Sequence, residues 1–203
     1  LFGLLGVNGA GKTTLIKMLC SLTSPTSGHA SILGYDIKNN QKQVKEIIAV
    51  SPQETAIAPN LTVRENLELM AGIHGYSKKE VKEKTASMIN AFSLQQYENQ
   101  KSKTLSGGWQ RKLSIALALI SEPKILFLDE PTLGLDIIGR RELWALIEKL
   151  KEKTTIVLTT HYLEEAEALC DRICVMKDGK VKAIGTVKEL ISMTNTGNFE
   201  DAF

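Results

Sequence analysis

A glycine-rich stretch near the start of the chain has the residue types and spacing needed to bind phosphate. It runs from Gly6 to Thr13, follows the pattern G-x-x-x-x-G-K-[ST], and is followed by Thr14. The glycines let the backbone curl so that several N–H groups point at one anion, and the next helix adds its positive dipole end. Lys12 can then reach the β- and γ-phosphates, and the Thr13 hydroxyl can ligate Mg²⁺. The stretch therefore predicts a nucleotide-phosphate site formed by Asn8, Gly9, Ala10, Gly11, Lys12, Thr13 and Thr14.

Four short apolar segments lead into residues that could take part in phosphate chemistry. The segments, at 1–5, 47–50, 125–128 and 155–159, have the length and composition of buried strands. Parallel strands end at one edge of a sheet, and ligands of open α/β proteins bind at that edge. We therefore expect the polar residues that follow the strands to form one site beside the phosphates; besides the glycine-rich stretch, they are Gln53, Asp129, Glu130 and His161.

The neighbouring acids Asp129 and Glu130 differ in their predicted roles. Asp129 ends a hydrophobic run, the Walker B arrangement, in which the carboxylate helps to hold Mg²⁺. Successive side chains of a strand point in opposite directions, so Glu130 can face a different atom, such as an attacking water. A general base there is worth roughly 10²–10⁴ in rate, and a salt-bridged structural Glu130 is the alternative. A lone His161 is more often a core histidine, but its place at a strand end favours a role in the site.

A second glycine motif lies at Leu105–Gln110. Ser106 can cap the helix that continues through Ile120, and Gly107 and Gly108 expose backbone N–H groups. This combination predicts a second anion site at a helix N-terminus. One chain with a complete phosphate loop and a separate phosphate-binding helix end suggests two copies that share nucleotide across an interface.

The chain divides by pattern into two regions. Residues 59–120 are largely helical in pattern, whereas the strand candidates lie on either side of them. We predict an α/β core at 1–58 and 121–203 and a helical subdomain at 59–120. Because Leu1 already lies inside the first strand, we expect N-terminal strands of the core to precede it.

Local signals place several shorter elements. Capping boxes, in which a hydroxyl residue precedes Glu by three positions, predict helix starts at Thr62, Ser77 and Thr186. Residues 30–35 are expected to form an outer strand, and residues 195–198 a loose tail.

Composition narrows the classes of partner. The 203 residues are 43% hydrophobic and 24% charged, and 25 basic against 23 acidic side chains give a formal charge of +2. The charges are mixed and form no polybasic run, so we expect no nucleic-acid partner. Three cysteines without zinc-type spacing favour buried thiols. No signal peptide is visible, and no apolar run reaches the ~18–20 residues of a membrane-spanning helix.

Taken together, the motifs resemble the ATP-binding subunit of an ATP-binding-cassette (ABC) transporter. The resemblance covers essentially the whole chain in family order: P-loop at 6–13, Q-loop at Gln53, signature at 105–110, Walker B at 125–130, D-loop at 133–136 and switch His161. It implies a P-loop NTPase (RecA-like) core with a mostly parallel sheet and an inserted α-helical subdomain.

The resemblance also implies roles and partners. ATP and Mg²⁺ would lie between one P-loop and Ser106–Gly108 of a second copy in a head-to-tail dimer, with Asp136 communicating across it. Glu130 would be the catalytic base, supported by Lys12, and His161 would grip the γ-phosphate. Gln53 would link Mg²⁺, held also by Thr13 and Asp129, to a transmembrane permease that contacts the helical subdomain.

Some features distinguish this chain within the family. Trp109 stands where the family usually has a smaller or polar residue, and the adenine-stacking aromatic residue of the family lies upstream of the P-loop. The run at 161–167 and residues 199–201 resemble bacterial exporters of the ABC-2 type, which move drugs, polyketides, lipids, polysaccharides or ions. This implies a cytoplasmic position on the inner face of the membrane, through the permease.

Other functional classes remain open at this point. An ABC ATPase without a membrane partner, of the translation-factor or DNA-repair type, is the principal alternative. The repair type carries a long coiled coil between P-loop and signature, and no sustained heptads occur here. A P-loop GTPase would need an N-K-x-D motif, which is absent from the sequence. The presence of Glu130 and His161 argues against a module that binds nucleotide without hydrolysis.

Overall fold

The computed structural model describes residues 1–194 and 196–203. The helices are α1 (Lys12–Leu19), α2 (Gln41–Ile47), α3 (Val63–Ile73), α4 (Lys78–Ala91), α5 (Gly107–Leu119), α6 (Ile137–Leu150), α7 (Leu163–Leu169), α8 (Val187–Thr194) and α9 (Phe199–Ala202). The strands are β1 (Phe2–Leu5), β2 (Ser31–Ile32), β3 (Tyr35–Asp36), β4 (Ile48–Ser51), β5 (Ile125–Asp129), β6 (Thr155–Thr160), β7 (Arg172–Lys177) and β8 (Lys180–Gly185).

Within the described ranges, the main sheet has six strands in the order β4-β5-β6-β1-β7-β8. The pairs from β4 to β7 are parallel, and β8 runs antiparallel to β7. Because β4, β5, β6 and β1 are parallel neighbours, their carboxyl ends lie at one edge of the sheet. This arrangement confirms the predicted α/β class with a mostly parallel sheet.

The two faces of the sheet pack against different helices. Phe127 of β5 packs with side chains of α1 and α2, whereas Leu126 and Leu128 pack with α5 and α6. A strand that is buried on both faces reads as a continuous apolar run, which is why β5 was recognisable from sequence. The sheet therefore lies between two layers of helices. These layers hold in place the edge of the sheet that carries the functional side chains.

The helices at 59–120 begin where the capping boxes predict. Thr62 Oγ1 accepts a hydrogen bond from the Glu65 N–H at 3.1 Å, and Glu65 Oε2 accepts from the Thr62 N–H at 2.7 Å. Ser77 and Glu80 form the same box at the start of α4. Apolar side chains of α3 and α5 continue into the cluster that covers β5 and α6, so the division at 59 and 120 remains a proposal.

Two local predictions need correction. Residues 30–35 do not form one strand, because Leu33 and Gly34 adopt positive φ angles of 49° and 88° and turn the chain into the hairpin β2–β3. Of the predicted loose tail at 195–198, the described residues 196–198 are not simply loose: the Asn198 side chain caps α9 by accepting from the Asp201 N–H at 2.8 Å. Asn195 itself lies outside the described residues.

The cysteines are thiols, as predicted. Cys20 and Cys174 are buried, Cys170 is half-buried, and none of the three forms a disulfide within the described chain. Burial raises the pKa of Cys170 to about 12, and burial with the nearby charge of Asp129 raises that of Cys20 equally. In the residues covered, no helix has the length and apolarity required to cross a membrane.

Candidate functional site

The phosphate loop follows β1 and curls before α1 begins at Lys12. Gly9 and Gly11 have positive φ angles of 84° and 99°, which favour glycine. A Cβ atom at Gly6 would lie 2.4 Å from the Met176 carbonyl oxygen of the neighbouring strand β7, so no larger residue fits there. The sequence pattern therefore reflects both backbone conformation and close packing.

Lys12 is buried beneath this loop. Its Nζ atom donates to the carbonyl oxygens of Gly6 at 2.7 Å and Val7 at 3.3 Å. The same atom lies 3.2 Å from Glu130 Oε1, and both side chains are less than a tenth exposed. A buried ammonium group needs such partners, because burial without them would favour its neutral form.

Thr13 and Asp129 bring hard oxygen atoms together at the base of the loop. The Thr13 hydroxyl donates to Asp129 Oδ1 at 3.3 Å, and the Thr159 hydroxyl of β6 donates to the same oxygen. A hydroxyl and a carboxylate are donors that Mg²⁺ prefers, so these two residues fit a magnesium site. Gln53, the third predicted ligand, has no side-chain hydrogen bond among the described residues.

Glu130 leaves the strand in a left-handed turn with φ 48°. Its N–H donates to the Thr159 carbonyl at 3.2 Å and to the Thr159 hydroxyl at 2.9 Å, which fixes this conformation. The turn, as well as the alternation along β5, directs its carboxylate away from that of Asp129. A non-glycine residue held in this region stores strain of about 1–3 kcal/mol, which surrounding bonds must offset.

His161 follows β6 and completes the group around Glu130. Its Nδ1 lies 2.8 Å from Glu130 Oε2, and its ring contacts that of Tyr162 with centroids 4.1 Å apart. Glu130 thus stands between a lysine and a histidine, with one carboxylate oxygen on each. This geometry suits a carboxylate that is held in place beside a reacting phosphate.

The predicted residues share one cavity of about 350 Å³. Its lining consists of Asn8, Gly9, Ala10, Gly11, Lys12, Thr13, Thr14, Gln53, Glu130, Leu133 and His161. Asp129 does not line this cavity and instead reaches it through Thr13. The structure therefore brings together residues from four strand ends, as the sequence analysis expected.

A second cavity of about 320 Å³ lies at the start of α5. It is lined by Ser106, Gly107, Gly108, Trp109, Lys112, Gly134, Leu135, Asp136, Ile138, Gly139 and Glu142. Asp136, predicted to communicate between copies, also caps α6, because its Oδ1 accepts from the Gly139 N–H at 2.7 Å. The signature residues are thus adjacent to residues 134–136 of the D-loop, whereas Leu133, the first D-loop residue, lines the cavity of the phosphate loop.

Ser106 requires a correction. It is the N-cap residue of α5, but its side chain makes no capping hydrogen bond. The Gln110 amide instead fixes the turn by donating to the carbonyl oxygens of Leu105 at 3.1 Å and Ser102 at 3.3 Å. The hydroxyl of Ser106 is therefore not used within its own helix.

Trp109 is held by its neighbours on α5 and before it. Its ring lies 4.5 Å from that of Tyr97, and Lys112 Nζ lies 4.1 Å from its centroid. The indole also lines the second cavity together with Ser106, Gly107 and Gly108.

Sequence reasoning missed two buried charged residues. Arg111 on α5 donates to the carbonyl oxygens of Pro52 and Gln53, and burial lowers its pKa, opposed by the charge of Asp129. Glu165 on α7 accepts from Trp144 Nε1 at 3.0 Å, and burial raises the pKa of Glu165. Polar or charged residues adjoin both in the sequence, so no sequence pattern marked either residue as buried.

Comparisons with known proteins show which family this chain is similar to. Residues 1–133 match the family model described as ABC transporter. The human phospholipid-transporting ATPase ABCA3 is 45% identical over 183 residues, which are 90% of this chain and 11% of that protein. The daunorubicin/doxorubicin resistance ATP-binding protein DrrA of Streptomyces peucetius is 42% identical over 192 residues, 94% of this chain and 58% of that protein. The chain therefore spans between a tenth and three fifths of the length of these relatives.

A solved structure shares the fold. It is the dimeric post-hydrolysis state of an ATP-binding cassette with bound ADP and phosphate, and it superposes with a TM-score of 0.80 at 29% identity. The match covers 92% of this chain and 84% of that chain.

Proposed function

This chain belongs to the ABC transporter family, and on that premise we propose that it binds and hydrolyses ATP to power a membrane transporter. The observation that carries the proposal is the placement of Lys12, Glu130 and His161 in one cavity with the phosphate loop. Binding alone would not require a buried carboxylate between a lysine and a histidine.

Binding of the triphosphate rests on the loop at 8–14 and on Lys12. The backbone N–H groups and the α1 dipole attract the phosphates, and the Lys12 ammonium neutralises part of their charge. Thr13 and Asp129 would hold Mg²⁺, with Gln53 as a further ligand, and the ion would offset charge on the β- and γ-phosphates.

Hydrolysis rests on Glu130. Its carboxylate accepts a proton from the attacking water, while the His161 Nδ1–H donates to one of its oxygens. A second proton on Nε2 would let the same ring donate to the γ-phosphate. Lys12 stabilises the negative charge that develops on the transferred group.

The second cavity supports a head-to-tail dimer. Ser106, Gly107 and Gly108 of one copy would contact the ATP held by the phosphate loop of the other, and Asp136 would lie at the same interface. Both features sit on one surface of the chain beside α5 and α6, and the related cassette of known structure is described as dimeric.

The transport role is proposed by similarity. Relatives are named for daunorubicin/doxorubicin resistance and for phospholipid transport, so we place this chain with exporters of drugs, lipids, polysaccharides or ions. The permease would contact the Gln53 loop and the helical subdomain, and the chain would lie on the cytoplasmic face of the membrane.

Light scattering on the Glu130→Gln variant tests the shared site. Without nucleotide the variant should be monomeric, and Mg·ATP should convert it to a dimer because the bound nucleotide is not consumed. Glu164→Gln, an exposed change on α7, is the control and should dimerise only transiently. A Glu130→Gln protein that binds ATP and stays monomeric would contradict the dimer.

A further inference from the structure

Arg111 is a buried cation whose charge is met by the backbone. The side chain is on α5 and the residue is 4% exposed. Its Nη1 donates to the Pro52 carbonyl at 2.6 Å, and its Nη2 donates to the Gln53 carbonyl. No carboxylate oxygen of the described residues lies within 4.0 Å of a guanidinium nitrogen of Arg111. An arginine is rarely buried to this extent, because the removal of a charge from water without a full set of partners costs free energy.

A second contact joins the same two elements. Ser114 lies one turn after Arg111 on α5, and its Oγ is 3.2 Å from Ser51 Oγ at the end of β4. Both serines are buried. The segment Ser51–Gln53 is therefore fastened to α5 at two successive turns.

These contacts lie between the two cavities. Gln53 lines the cavity of the phosphate loop, whereas Ser106 and Gly108 line the second cavity at the start of the helix that carries Arg111. A shift of the first turn of α5 would be transmitted to the Gln53 backbone through the guanidinium.

We propose that Arg111 is a positioning residue that holds Gln53 in register with the signature turn, so that nucleotide contact at Ser106–Gly108 and the position of Gln53 change together. This inference rests on the proposed ATPase function. Arg111 touches no reacting group, and it acts through Gln53.

The planar guanidinium is suited to this task. It presents two N–H groups in a fixed fork, one to each of two consecutive carbonyl oxygens, whereas a lysine ammonium is a point charge on a flexible stem. Arg111→Lys keeps the charge and loses the fork. A small displacement of a residue beside the chemistry lowers kcat by about tenfold to a hundredfold, and we expect that loss here with KM for ATP changed less than about twofold.

A double-mutant cycle with Gln53→Ala tests the route of action. If Arg111 acts through Gln53, Arg111→Lys should lower kcat in the parent but by less than about twofold in the Gln53→Ala background. Equal fold losses in both backgrounds would overturn the proposal, because a purely structural arginine would affect both alike. Arg64→Lys on α3, which also keeps its charge and has a partly exposed partner in Glu98, is the matched control and should leave kcat unchanged.

Two further measurements keep the test decisive. If Arg111→Lys does not fold, Ser114→Ala enters the same cycle, with an expected kcat loss of up to about fivefold in the parent alone. If the parent hydrolyses no ATP, the proposed function fails, and hydrogen exchange then tests Arg111 separately. Arg111→Lys should speed amide exchange at 53–55 relative to Arg64→Lys, and equal exchange would overturn the inference.

Discussion

Replacement of Glu130 by glutamine isolates the chemical step from binding. The change keeps the shape of the side chain and removes its negative charge and its ability to take up a proton. In the structure, Oε1 lies 3.2 Å from Lys12 Nζ and Oε2 lies 2.8 Å from His161 Nδ1. We expect kcat to fall by about 10²–10⁴, the usual contribution of a positioned general base.

The effect on folding should be much smaller than the effect on rate. Lys12 retains the carbonyl oxygens of Gly6 and Val7 as acceptors, and a carboxamide at 130 can still contact both neighbours. Removal of one partner from a buried ion pair typically costs about 3–5 kcal/mol. With these contacts retained, we expect at most about 2 kcal/mol, or a fall in Tm of about 4–8 °C for a chain of this size.

The assay combines phosphate release in a single turnover with nucleotide binding by calorimetry. The Kd for ATP should stay within about tenfold of the parent value. Lys12 keeps its charge for the phosphates and no longer shares it with a carboxylate. Glu164→Gln, at the surface of α7, should keep the parent rate. Hydrolysis by Glu130→Gln at the parent rate would refute the role of Glu130 as base, and a parallel loss of binding would assign it to binding instead.

Two other changes probe the buried charges of the site and its surroundings. Lys12→Ala should weaken ATP binding at least about tenfold, because a charge-assisted contact to phosphate is lost; calorimetry with an unchanged Kd would contradict the phosphate-loop assignment. Burial raises the pKa of Glu165 above its ordinary value of 4.5, so the folded state binds the proton more tightly and loses stability as pH rises from 4.5 through the raised pKa. Glu165→Gln should remove that decline, and urea unfolding from pH 4.5 to 8 should show its advantage over the parent growing with pH. A difference independent of pH would refute this reasoning.

The sheet and its functional edge could be predicted because their signals are local. A central parallel strand such as β5 is apolar on both faces, and its end is marked by the acids Asp129 and Glu130. The capping boxes at Thr62 and Ser77 are likewise complete within four residues. Such features depend on residues that are close in the sequence, so they can be predicted from the sequence pattern alone.

Most of the features that sequence reasoning missed depend on partners that are distant in the sequence. The left-handed turn at Glu130 is fixed by Thr159, which is 29 positions away, and the carbonyl oxygens bound by Arg111 are 58 and 59 positions away. The hairpin at 31–36 requires a positive φ angle at Leu33, and a leucine rarely adopts such an angle. No spacing rule contains the contacts of Glu130 and Arg111, because tertiary packing decides them, whereas the turn at Leu33 is local and its side chain is exposed.

The missing cap at Ser106 shows how such packing bears on the proposed function. A serine or threonine cap stabilises a helix by about 1 kcal/mol, and Thr62 of α3 and Ser77 of α4 both act in this way. At α5 the Gln110 amide fixes the turn instead, so the Ser106 hydroxyl and the first N–H groups of the helix remain for a ligand. A hydroxyl committed to its own helix would compete with phosphate at the second cavity. The local loss of helix stability is therefore what a site shared between two copies would require.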